Sequence, residues 1–266
     1  MKRIFLLFCL TAMLFPWLVQ AQGKKIVLCG THWPPYSYAS GDQFVKGISI
    51  ELYHAIFNEL GYEVTLKALP WQRCLEWAKE GRVDGVMDNA SVKGLINGET
   101  PTAAYPIGMY VLERSPYQVF SWEQMKGKVV GLVKGYDYPM PIMRFQGWDK
   151  DYGVDDTQVV SKLGAGRYEF ALLDMFSGPE IAKQQGLHIR MLTPGVASEP
   201  LYLTFNAKQT ALMHHFDHAL KQYIASGKLD QIYKKYTKWK YREVINLGKL
   251  TEQNQMRTEI NLQPNK

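Results

Sequence analysis

Cysteine is scarce in this chain of 266 residues, with three in all. No C-x-x-C or H-E-x-x-H pattern, no phosphate-cradling glycine loop and no G-x-S-x-G elbow occurs. Zinc, thiol-redox, nucleotide-phosphate and serine-hydrolase readings therefore have no motif to stand on, and no metal or cofactor is implied. His214 and His218 are four apart on a predicted helix but lack a third ligand, so they read as a solvent-facing turn. Beyond residue 21 no apolar run is long enough to span a bilayer. Arginine is missing from a whole stretch, with none between Arg82 and Arg114.

The N-terminus has Lys2 and Arg3, then an apolar run from Ile4 to Val19, then Ala21. That order is a secretory signal peptide over 1–21, cleaved after Ala21. Pro16 and the short run argue against a membrane anchor, and Cys9 lacks the small residues that precede a lipidated cysteine. The net charge of +6 falls to +4 when Lys2 and Arg3 leave with the leader. The basic stretch KKYTKWKYR near the C-terminus reads as the solvated face of a last helix rather than a nucleic-acid patch. Cys29 and Cys74 remain. In an oxidising compartment they either bridge or stand as separate buried thiols.

From residue 25 short apolar runs alternate with helical periodicity. KKIVLCG, EVTLKAL and VDGVM read as strands; ISIELYHAIFNEL and WQRCLEWAKEG read as helices stopped by Gly61 and Gly81. Such alternation builds an α/β lobe around a parallel sheet. Residues 88–108 break the rhythm, and MYVLERS reads as a strand leading away. A second series follows: GKVVGLV and EFALLD as strands, with helices around PMPIMRFQG, TQVVSKLGAG and SGPEIAKQQG. LHIRML and PLYLTF then read as strands, before two closing helices and a polar tail over 243–266.

WPPYSY after the first strand, GISIEL, PWQRCLEWAKEGRVDGVM, LGAGRYEFALLD and ALKQYIASGKLDQIYKKY occur in an order that resembles the family 3 extracellular solute-binding proteins. The resemblance covers roughly residues 25 to 242. It implies a type II periplasmic binding protein fold: two α/β lobes, each a mixed sheet flanked by helices, joined by a hinge of two crossing strands and closing on a ligand. The chain is expected to build lobe one over 22–111, lobe two over 112–199, and to return to lobe one over 200–242. The implied role is capture of a small polar, cationic or amino-acid-like ligand by a periplasmic monomer for an ABC-type inner-membrane permease. A periplasmic sensor for a membrane signalling protein and a dehydratase-like enzyme on the same fold are the alternatives.

Carried over residue by residue, the resemblance puts Trp33 over the ligand; Trp71 and Arg73 follow the second strand within reach of the cleft, where Arg73 either grips a carboxylate or pairs with a structural acid at the helix start. It places Asp88, Asn89 and Ser91 on the loop after the third strand, and Tyr136 and Asp137, with Tyr138, in lobe two. Asp174 matches the acid that receives a ligand ammonium group, and also reads as a helix N-cap. The arginine that grips an α-carboxylate in the family falls near Ile96 here. Arg73 or Lys93 substitutes for it, or the carboxylate is not held. Three acids among several rings suit a cationic ligand.

Overall fold

The computed structural model describes residues 24–136 and 138–247. The expected leader over 1–21 with its cleavage point, the candidate residue Asp137 and the tail from 248 lie outside the described residues.

Lobe one opens with β1 (Lys24–Gly30), then the short strands β2 (Tyr38–Ser40) and β3 (Gln43–Lys46), helix α1 (Ile48–Glu59), β4 (Tyr62–Ala68), α2 (Trp71–Glu80), β5 (Gly85–Asn89) and β6 (Leu95–Asn97). The apolar stripe of α1 buries Leu52, Ile56 and Phe57, and Gly61 and Gly81 take the left-handed backbone that ends α1 and α2. A glycine is suited to both turns because it has no Cβ to clash at positive φ. β1 runs parallel between β4 and β5, so the loops after all three open at one edge of the sheet.

The hinge consists of β7 (Ala103–Leu112) and β12 (Ala197–Asn206). They pair antiparallel with each other over 103–107 and 197–201; β12 then pairs with β5 in lobe one, and β7 continues beside β10 in lobe two. β7 begins six residues before the predicted strand at Met109, inside the stretch that was expected to be irregular. Pro106 and Gly108 misread as breakers: Pro106 sits in the ladder with its carbonyl accepting from the Met175 N–H at 2.9 Å. A Cβ on Gly108 would meet the Met191 sulfur at 2.4 Å, so close packing accounts for the glycine.

Between the hinge strands lie β8 (Val129–Val133), α3 (Met140–Arg144), β9 (Asp149–Gly153), α4 (Asp156–Gly164), β10 (Phe170–Asp174), α5 (Ser177–Gln184) and β11 (Ile189–Met191). β10 and β9 flank β8, both parallel to it, which aims the starts of α4 and α5 at the same sheet edge. β9 has the sequence DKDYG and shows no apolar pattern, because it is an edge strand paired on one side only. Two helices, α6 (Thr210–Ala225) and α7 (Lys228–Tyr236), return to pack on α1. A further helical segment over 241–247 buries Val244 completely, so the expected tail from 243 is anchored in its first residues.

Candidate functional site

Trp33, Pro34, Pro35 and Tyr36 follow β1 and close into a tight loop. The Trp33 N–H donates to the Ser37 carbonyl at 2.8 Å and the Ser37 N–H returns to the Trp33 carbonyl at 2.9 Å. Trp33 is half-buried and stacks on Tyr36 with 4.1 Å between ring centroids, while Tyr36 is buried and donates to the Ala104 carbonyl at 3.3 Å. The carbonyls of Pro35 and Tyr36 accept the Ile48 and Ser49 N–H groups, giving two unpaired donors at the start of α1 their partners. Gly47 makes this approach possible at φ 139°; a Cβ there would stand 2.1 Å from the Tyr36 carbonyl oxygen.

Trp71 opens α2 and forms the second aromatic wall of lobe one. Cys29 and Cys74 are bonded, with S–S 1.98 Å and Cα atoms 5.7 Å apart, so a covalent link ties the strand before Trp33 to the helix that carries Trp71. Arg73 lies two residues further along the helix, exposed to solvent and outside the cavity. As a grip on a ligand carboxylate it is therefore misplaced: i and i+2 on a helix face different ways.

On the loop after β5 the three candidates separate. Asp88 takes φ 48°, and its Oδ1 accepts hydrogen bonds from Tyr53 at 2.7 Å and Thr102 at 2.9 Å. Burial raises its pKa, opposed by hydrogen bonds from Ser49, Tyr53 and Thr102. The carboxylate expected to add charge to the cleft thus holds β5 to α1. Asn89 is buried, donates to Thr204 at 3.0 Å and leaves its Oδ1 without a partner. Ser91 is exposed and bonded to Asn97 at 2.8 Å; with Lys93 it lines a neighbouring cavity instead of the main one. Ile96, where the carboxylate-binding arginine was expected, is fixed in β6 opposite Phe205.

In lobe two Tyr136 donates to Asp156 Oδ2 at 2.9 Å. Asp156 starts α4 behind that ring, 6% exposed, and burial pushes its carboxyl up to about 6. Asp174 is wholly buried at the end of β10. Its Oδ1 accepts the Phe176 and Ser177 N–H groups at 2.8 and 2.7 Å, so it does cap α5, and the buried Ser177 hydroxyl lies beside the same carboxylate and favours its charged form. Burial pushes Asp174 up to about 7 against the pull of those two N–H bonds.

These parts enclose a cavity of about 620 Å³, counting its open mouth, between the lobes. Its walls carry Trp33 and Trp71 from one side, Tyr136 from the other and Tyr105 from the hinge strand, with Asp88, Asn89 and Ala90 on its floor. No residue lining it, among those described, is basic. Among the described residues, hydrogen bonds from Tyr38 to Glu180 Oε2 at 3.1 Å and from Gln72 to the Gly135 carbonyl at 3.2 Å join the lobes outside it. Tyr105 was not legible as a wall residue because it lies in the segment read as irregular. Asp156 was hidden as the second of two acids before a helix, a pattern that ordinarily signals capping.

Residues 26–238 match the profile of the bacterial extracellular solute-binding proteins, family 3. The chain belongs to that family. Among its relatives is the L-cystine-binding protein TcyJ of Escherichia coli (strain K12), 25% identical over 171 residues. That match covers 62% of this chain and 64% of TcyJ, so it spans somewhat under two thirds of the relative. The arginine-binding extracellular protein ArtP of Bacillus subtilis (strain 168) is 23% identical over 236 residues, covering 80% of this chain and 87% of ArtP. A solved histidine kinase sensor domain with similarity to periplasmic binding proteins superposes with a TM-score of 0.71 at 21% identity, over 80% of this chain and 96% of that one. At that identity the likeness is one of fold, and the two-lobed type II architecture of this family 3 protein is the fold it shares.

Proposed function

We propose that this protein captures a small organic cation, of the amine or guanidine type, between its lobes. As a periplasmic monomer freed from its leader after Ala21, it would hand that cation to an ABC-type permease. The observation that carries the reading is a cavity walled by aromatic rings with no basic side chain among its described lining residues, with the buried carboxylate of Asp174 acting electrostatically on the wall residue Tyr105. A buried carboxylate is costly until a positive charge offsets it. A ligand cation does so, and the faces of Trp33, Trp71, Tyr105 and Tyr136 offer it about 0.5 to 2 kcal/mol per well-placed ring.

An α-carboxylate would find no such reception. Ile96 replaces the expected guanidinium, Arg73 is outside the cavity and Lys93 belongs to its neighbour. The two relatives are named for different ligands, cystine and arginine, so kinship leaves the choice to the charge of the site. Nothing in this wall needs a reaction: a ligand retained through purification should keep its mass.

Isothermal titration calorimetry against amines, guanidines, quaternary ammonium compounds and acidic or neutral amino acids tests the reading. The cations should bind in the micromolar range or tighter, and Asp174→Asn should abolish that binding. Tight binding confined to acidic or neutral amino acids would sink the charge argument.

A further inference from the structure

The loop after β5 leaves the main cavity at Ala90, a residue that also lines the neighbouring one. That second cavity measures about 770 Å³ with its open mouth and lies between the lobes as well: Val92 and Lys93 come from lobe one, Pro139 and Met140 from lobe two, and Glu199 from the hinge strand β12. Its chemistry differs from that of the aromatic chamber. Ala90, Val92, Pro139 and the exposed Met140 give it an aliphatic lining, and Lys93 is its one basic residue among those described. Ser91, on the same wall, spends its proton on Asn97. The Lys93 side chain is exposed and has no hydrogen bond or ion pair among the described residues.

We propose that this second cavity receives the far end of the ligand, so that the protein takes small cations with a carboxylate at the other end of an aliphatic chain, of the ω-amino acid class. The inference rests on the cationic reading above and narrows it. The positive group stays among the rings of the first cavity, the methylene chain passes Ala90 and lies against Val92 and Met140, and the carboxylate meets Lys93. Methylenes that leave water along such a lining favour the longer ligand. A carboxylate one carbon from the cation would instead be left in the base-free chamber. Glu199 keeps the second cavity from serving as a general anion site: a carboxylate is favoured there only within reach of Lys93, so affinity should peak at one chain length. Because its walls come from both lobes, the contact is complete only on closure.

Calorimetry at pH 8 and low salt with straight-chain ω-amino acids of three to eight carbons, and with n-alkylamines of the same lengths, separates the cases. The wild-type protein should bind the best ω-amino acid at least about fivefold more tightly than its matching alkylamine. Lys93→Gln removes the charge from an exposed side chain and leaves every wall of the first cavity in place. That variant should bring the amino acid down to the level of the amine while the amine keeps its wild-type affinity. If no chain length favours the amino acid, or if Lys93→Gln weakens both series alike, the inference is overturned, while amine binding still upholds the cationic reading. If no alkylamine binds, that reading falls and the inference falls with it.

Discussion

Trp33 rests on Tyr36, and Tyr36 is held from beneath by its bond to Ala104, so the supporting ring does not depend on the tryptophan above it. Trp33→Ala should therefore weaken binding of a cationic ligand by about tenfold, roughly 1.4 kcal/mol, with little change in the melting temperature of the empty protein. A large loss of apo stability would return the ring to the core. Asp174 adds a pH dependence of definite sign. Its carboxyl titrates near 7 in the folded protein and near the ordinary value of 3.8 when unfolded, so in between the folded state holds the extra proton. Its contribution to apo stability is full below about pH 4 and is lost as the pH rises through about 7. A cationic ligand reverses the preference: affinity should fall as the pH drops below about 7, and binding should release a proton. Melting curves of the empty protein and calorimetry in buffers of different ionisation enthalpy read both effects, and Asp174→Asn should flatten the pH dependence of the melting temperature. The ionisable groups around it are Asp156, Tyr36, Tyr105 and Tyr110. At this scale the sequence disclosed which loops face the cleft but not which way a side chain turns. Trp33, Trp71, Asp88, Asn89 and Tyr136 line the cavity, Asp88 with one oxygen held by Tyr53 and Thr102, whereas Arg73 and Ser91 lie outside it.

The elements behind those loops were easier to read, because period and caps are local. α1, α2, α4, α5, α6 and α7 and the apolar strands β1, β4, β5, β8 and β10 appear where their patterns put them. The hidden ones depend on distant partners: the β2–β3 hairpin and the polar edge strand β9 have no apolar signature, and β7 carries Pro106 and Gly108 through its ladder. Gly47 joins this scale to the site, since the start of α1 is built against the Trp33 loop. Gly47→Ala should lower stability by about 2 kcal/mol or more, through the strained φ and the Tyr36 carbonyl that would have to move. It should also weaken ligand binding, because the displaced loop carries Trp33. Denaturant melts set beside a binding curve check the pair, and an unaffected midpoint would refute the packing account. The Cys29–Cys74 bond closes a loop of 45 residues, for which chain entropy gives about 4 kcal/mol of stabilisation. Reduction without denaturant should lower the melting temperature and cost affinity together, since both cleft tryptophans flank the bridge.

For the whole molecule the question is what holds two lobes together across a cavity that only a ligand fills. β7 and β12 permit a hinge because they are the strands paired to each other and shared by both lobes. Closure then depends on contacts that exist only when the lobes meet. Tyr38–Glu180 and Gln72–Gly135 are such contacts, on partly or fully exposed side chains away from the ligand-facing rings, and each hydrogen bond should contribute about 0.5 to 1.5 kcal/mol. Gly135 has φ 82°, and a Cβ there would stand 2.3 Å from the Gln72 amide nitrogen, so another residue would strain the backbone and push the Gln72 side chain out of this bond. Tyr38→Phe combined with Gln72→Ala leaves every cavity wall intact and removes both ties. The double variant should bind the same ligands with the same rank order but release them about ten times faster. Small-angle scattering should show a larger open fraction at subsaturating ligand. The association rate should change little, since a ligand enters the open form, where neither bond exists. If release and scattering both match the wild type, closure is governed by the ligand and the hinge strands alone.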